Sequence, residues 1–129
     1  MTPLLQAADD LLTGDTAGTR GMWPRVTAVL VRGALEDALD ELWDATEPAC
    51  KDASGRAQLL LLPHYLTDDP DLVADVREAW SGLSRACHHH AYELPPTSAE
   101  LRGWWVTVDR LSSACARRAS VGQTSRDKV

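Results

Sequence analysis

Seven prolines divide the 129-residue chain, and the divisions fall between stretches of helical periodicity. Proline lacks an amide hydrogen and clashes with the preceding turn, so it opens helices or ends them. Thr2-Pro3 reads as an N-cap and first-turn proline for a helix over 2–13, where Leu4, Leu5, Ala8, Leu11 and Leu12 recur at helical spacing. After a Gly- and Asp-rich loop over 14–21, Pro24 opens a long helix to residue 45. Its apolar stripe is Val26, Leu30, Ala34, Leu35, Ala38, Leu42 and Ala45, with Glu36, Asp37, Asp40, Glu41 and Asp44 mostly off it as solvated surface. Arg32 and Glu36 are spaced to pair across one turn. Pro48 and Gly55 mark a linker. A third helix follows over 56–62, extending toward Leu66, and its four successive leucines predict burial on several sides until Pro63 kinks or ends it.

Asp69-Pro70-Asp71 is a helix start: N-cap, first-turn proline, and an acid at the positive end of the dipole. The spacing of Leu72, Val76, Ala79, Trp80, Leu83, Ala86, Cys87 and Leu94 predicts a fourth helix to about residue 93, stopped by Pro95-Pro96. Thr97-Ser98-Ala99-Glu100 is a capping box for a fifth helix whose buried side is Leu101, Trp104, Trp105, Val108, Leu111 and Cys115. Two adjacent tryptophans cannot both face inward, which leaves one for a subunit interface.

These elements predict an all-α fold, an antiparallel bundle of about five helices. One domain over 1–119 is expected, with 120–129 a polar, disordered tail. The absence of Ile and Phe beside abundant Ala and Leu agrees with helix over sheet. A net charge of −6 argues against a general nucleic-acid coat, which needs a basic surface, but permits a local grip on one or two phosphates. Cys50, Cys87 and Cys115 are odd in number and far apart, so a reducing cytoplasm is expected rather than a disulfide framework. No apolar run is long enough for a membrane span, and no secretory signal is expected.

The chemistry-bearing residues crowd into 85–92, Arg-Ala-Cys-His-His-His-Ala-Tyr. At about 100° per residue, a continuous helix sets Arg85, His89 and Tyr92 on one face with His88 a step aside, and His90 nearer Cys87 and Leu94. A guanidinium forks onto phosphate oxygens, and an imidazole moves protons near neutral pH. Together they can drive attack of an RNA 2′-hydroxyl on its own phosphate without a metal.

Arg85, four residues, His90, one residue, Tyr92 resembles the motif of the HEPN superfamily, small α-helical bundles that include metal-independent ribonucleases of toxin–antitoxin and phage-defence systems. The resemblance implies that Arg85 and His90 are catalytic, with His89 the choice one residue short. Tyr92 and His88 are left for substrate binding or regulation. It implies RNA as substrate and a homodimer with two motifs facing across a cleft. In the branch paired with nucleotidyltransferase antitoxins the motif tyrosine, here Tyr92, is modified with AMP. The family often carries a polar residue directly after the arginine, where this chain has Ala86. No cofactor or metal is expected: Cys87, His90, Cys115 and His64 lack the spacing of a zinc site. The contrasting reading is a non-catalytic helical adaptor that dimerises or binds a protein partner, suggested by the acidic charge and the spare tryptophans.

Overall fold

The structure is a computed structural model, and it describes residues 2–14, 23–88 and 94–127, with side chains through 121. Among these are five α-helices and no strand: α1 (Pro3–Thr13), α2 (Trp23–Ala45), α3 (Gly55–Leu61), α4 (Pro70–Cys87) and α5 (Ser98–Asp127). Short 3-10 helices cover Pro48–Asp52 and Leu62–His64. The caps read from sequence form. Thr2 Oγ1 accepts from the Leu5 amide at 3.4 Å and Asp69 Oδ1 from the Leu72 amide at 3.1 Å. Thr97 and Glu100 exchange both bonds of a capping box, each at 3.1 Å. Pro63 stops α3 by tightening the chain into the 3-10 turn. The fifth helix continues past Ser120 to Asp127.

Helix α2 is the axis. Thr27, Ala28, Val31, Ala34, Leu35, Ala38, Leu39, Leu42 and Trp43 are buried on it, against α1, α4 and α5. This stripe is rotated from the expected one: Val26 is 37% exposed, while Val31, Leu39 and Trp43 face the core. Packing on three neighbours selects a wider face than any single-stripe reading. The acidic residues Glu36, Asp37, Asp40, Glu41 and Asp44 face solvent, and Arg32 Nε lies 3.3 Å from Glu36 as its spacing predicts.

Helix α5 runs antiparallel to α4. Trp104 meets Gly82, Arg110 pairs with Asp75 at 3.0 Å and Arg118 pairs with Asp68, so one numbering rises as the other falls. It also closes over α1, where Trp105 Nε1 donates to the Leu5 carbonyl at 2.8 Å and Arg102 pairs with Asp9 at 2.8 Å.

The short α3 is held by a buried polar side chain. Gln58 Oε1 accepts the Trp43 indole N–H at 2.8 Å, and its amide nitrogen donates to the Ala53 carbonyl at 3.0 Å and the Lys51 carbonyl at 3.4 Å. One residue thus ties the 3-10 linker, α3 and the end of α2 together, with Tyr65 edge-on to Trp43 at 5.1 Å. The expectation that all four leucines of α3 are buried fails. Leu59 and Leu62 are inside, but Leu60 is 65% and Leu61 36% exposed, because α3 lies on the bundle surface with one side only against it.

Among the described residues no helix is long and apolar enough to cross a membrane. Replacing Gln58 with Leu leaves the Trp43 N–H and the linker carbonyls unpaired inside the protein. The expected cost is ~2–3 kcal/mol, measured by urea denaturation. A second expectation concerns Cys115, fully buried, whose thiol is pushed by burial from 9.0 up to about 12. The folded state keeps that proton above pH 9 while the unfolded chain loses it, so stability falls as pH rises from about 9 toward about 12. The slope is up to ~1.4 kcal/mol per pH unit, and the difference between wild type and Cys115→Ala in pH-dependent denaturation isolates it.

Candidate functional site

The arginine–histidine cluster lies where α4 ends, and α4 ends earlier than expected. Its last helical residue is Cys87; His88 is extended (φ −86°, ψ 121°) and its amide bonds back to the Arg85 carbonyl at 3.2 Å. Core burial thins toward this end, where Ala86 and Cys87 are only partly buried against the cluster. Leu83 is the last fully buried residue of α4, and helices in proteins persist mainly where an apolar face is packed. Histidine adds little propensity of its own. Leu94, expected on the apolar face, is 93% exposed. The helical register that set His89 and Tyr92 beside Arg85 therefore stops at Cys87. His89, His90 and Tyr92 lie outside the described residues.

Arg85 and His88 are described, and both line a cavity of about 250 Å³ between the end of α4 and the starts of α2 and α5. Arg25 joins them from the first turn of α2. Trp104 forms a wall, Pro95 and Pro96 a second, and Thr97 and Glu100 bring the capped end of α5 to the rim. A guanidinium near the C-terminal end of a helix is favoured by the dipole.

Arginines with and without ion pairs coexist in the bundle, and Arg56, Arg77 and Arg117, like Arg25 and Arg85, have no carboxylate partner among the described residues. Arg32, Arg102, Arg110 and Arg118 each face a carboxylate. Arg25 and Arg85 have no ion-pair partner among the described residues, although Glu100 lines the same cavity. Glu100 is engaged elsewhere: its Oε1 accepts from both the backbone N–H and the hydroxyl of Thr97 at 3.1 Å. Two guanidinia and an imidazole thus share a small concave space that the half-buried Trp104 also lines. That arrangement can hold a phosphate or another planar oxyanion.

Trp104 owes its place to a glycine. A Cβ built on Gly82 would sit 2.2 Å from Trp104 Cζ2, so the ring lies against the α4 backbone in space that only glycine leaves. Trp105, its neighbour, is 9% exposed and packed in the core, which settles which of the pair faces inward. Sequence reasoning missed Arg25 and Trp104 as site residues. Arg25 is far from the cluster in the chain and carries no local signal. Gly82 does carry one, since a glycine inside a helix costs ~1 kcal/mol and marks close packing.

Among the described residues no group of three or more His, Cys, Asp or Glu comes together as a metal site would require. No protein family, curated protein or solved structure matches the chain. Fold and cavity together define a small all-α domain with a cationic, aromatic-walled cleft.

Gly82→Ala gains helix propensity but forces the Trp104 ring to move, and the clash outweighs the gain. A net loss of ~1 kcal/mol is expected by urea denaturation. In a Trp104→Leu background the same substitution becomes stabilising, a change of sign that a double-mutant cycle reads directly.

Proposed function

We propose that this chain is a HEPN-like RNA-binding domain of the toxin or defence kind, and a metal-independent endoribonuclease. What supports the reading is the convergence of Arg85, Arg25 and His88 on one cavity, with neither arginine paired to a carboxylate among the described residues. Cations left without internal partners are available to an anionic ligand, and RNA supplies a phosphate beside a nucleophile, the 2′-hydroxyl.

In this reading the 2′-oxygen attacks the adjacent phosphorus. Its proton passes to an imidazole, that of His90 or of His89 in the alternative register. The Arg85 guanidinium faces the charge gathering on the non-bridging oxygens. The P–O5′ bond breaks, the 5′-oxygen takes a proton from the imidazolium, and the product ends in a 2′,3′-cyclic phosphate. His88 binds the substrate beside Arg85. Two copies pair with their motifs facing each other, and a cognate antitoxin or nucleotidyltransferase controls activity through Tyr92.

Purified protein is expected to cut labelled RNA in EDTA and to leave cyclic phosphate ends. Arg85→Ala lowers the rate by about 10²–10³, the scale of losing one charge-stabilising donor, and His90→Ala, or His89→Ala in the alternative register, abolishes the proton-transfer step. Cleavage that requires a divalent cation, or that survives both substitutions, overturns the mechanism. The adaptor reading draws on a separate observation, the exposure of Leu94 (93%) and Leu60 (65%). It takes over if RNA is neither bound nor cut while a protein partner is retained on those leucines and lost with Leu60→Ser or Leu94→Ser.

A further inference from the structure

We infer that Trp104 is a specificity-determining residue: its indole is a stacking platform for one unpaired base, while Arg25 and Arg85 hold the phosphate joined to that base. The inference rests on the RNA reading above and assigns to it a base-contacting residue of this chain.

The tryptophans of the bundle have different occupations. Trp43 gives its N–H to Gln58 and meets Tyr65 edge-on. Trp105 gives its N–H to the Leu5 carbonyl and carries the Arg102 guanidinium at 5.2 Å. Trp80 carries Arg32 at 5.1 Å. Trp104, like Trp23, has no hydrogen bond, no ring partner and no stacked cation among the described residues, and is partly buried against the core. It has a fixed position instead, pressed on the backbone at Gly82, and it lines the cavity that holds Arg25 and Arg85. A ring held rigidly at the wall of a cationic cleft is the arrangement by which single-stranded nucleic acid is gripped without reading its sequence.

Size is compatible with one base. The cavity measures about 250 Å³, below the ~300–1,000 Å³ of sites that enclose a drug-sized ligand. Bases inside a duplex are paired and stacked, and their faces are unreachable from a concave wall. Charge agrees with a local grip. Two guanidinia in a chain of net charge −6 engage one or two phosphates, not a long backbone track.

The test uses the full chain and a short fluorescein-labelled 2′-O-methyl oligoribonucleotide, which cannot supply the attacking hydroxyl. Affinity is read by anisotropy for the single strand, for the same strand annealed to its complement, and for a fully abasic strand of equal length. The single strand should bind about tenfold or more tighter than the other two. Trp104→Ala should bring it down to the abasic level, and Trp104→Phe should keep most of the difference. The logarithmic salt slope should lie between about −0.7 and −1.4, the value for one or two phosphates. Should Trp104→Ala not fold, the abasic comparison in the wild-type protein decides alone. Equal affinity for all three ligands, with binding still weakened by Arg85→Ala, sinks the platform and leaves the phosphate grip standing. Absence of binding to any strand removes the RNA reading and this inference together.

Discussion

The packing of α2 governs this molecule. Its buried residues, from Thr27 to Trp43, cover about half of the helix circumference at 100° per residue. A face that wide cannot be satisfied by one partner. It calls for α1, α4 and α5 side by side, and it leaves the acidic sector from Glu36 to Asp44 as the outer wall. The shape of the cleft follows. Arg25 sits in the first turn of the axis, so the start of α2 is carried to the place where α4 stops and α5 begins. The three parts of the site come from three helices because the core sets those helices around one rod.

Two substitutable details refine that plan. The Gln58 amide places a polar group in the interior and satisfies it with an indole N–H and two carbonyls, which specifies where the linker and α3 lie. Glycine does the same work on α4 by subtraction. The missing side chain at Gly82 lets Trp104 approach the helix backbone and fixes the ring as a wall. Buried apolar area alone would tolerate several registers of α5 on α4; the glycine–tryptophan fit and the Asp75–Arg110 pair favour one.

Much of the architecture was legible in the chain. Pro3, Pro70 and the Thr97–Glu100 box announce helix starts through local chemistry, and each cap forms as read. The end of α4 was not legible, because Pro95-Pro96 gives a visible stop while the true limit, where burial thins after Leu83 to the partly buried Ala86 and Cys87, is a tertiary fact. For the same reason Leu60 and Leu94 were misplaced: an apolar residue in sequence does not reveal whether a neighbour exists to cover it. Of the site, Arg85 and His88 stood out as a cluster. Arg25 and Trp104 did not, since only the antiparallel register of α4 and α5 on α2 makes them neighbours.

The first and last helices meet across a long stretch of chain: Leu5 and Trp105 are 100 positions apart, Asp9 and Arg102 are 93. A ribosome delivers α1 early and α5 late, at roughly 5–20 residues per second. Through most of that interval the side of α1 that bears Leu5 has nothing to rest on but α2. The bundle thus closes only once α5 has emerged, and until then an oily flank of α1 stays uncovered.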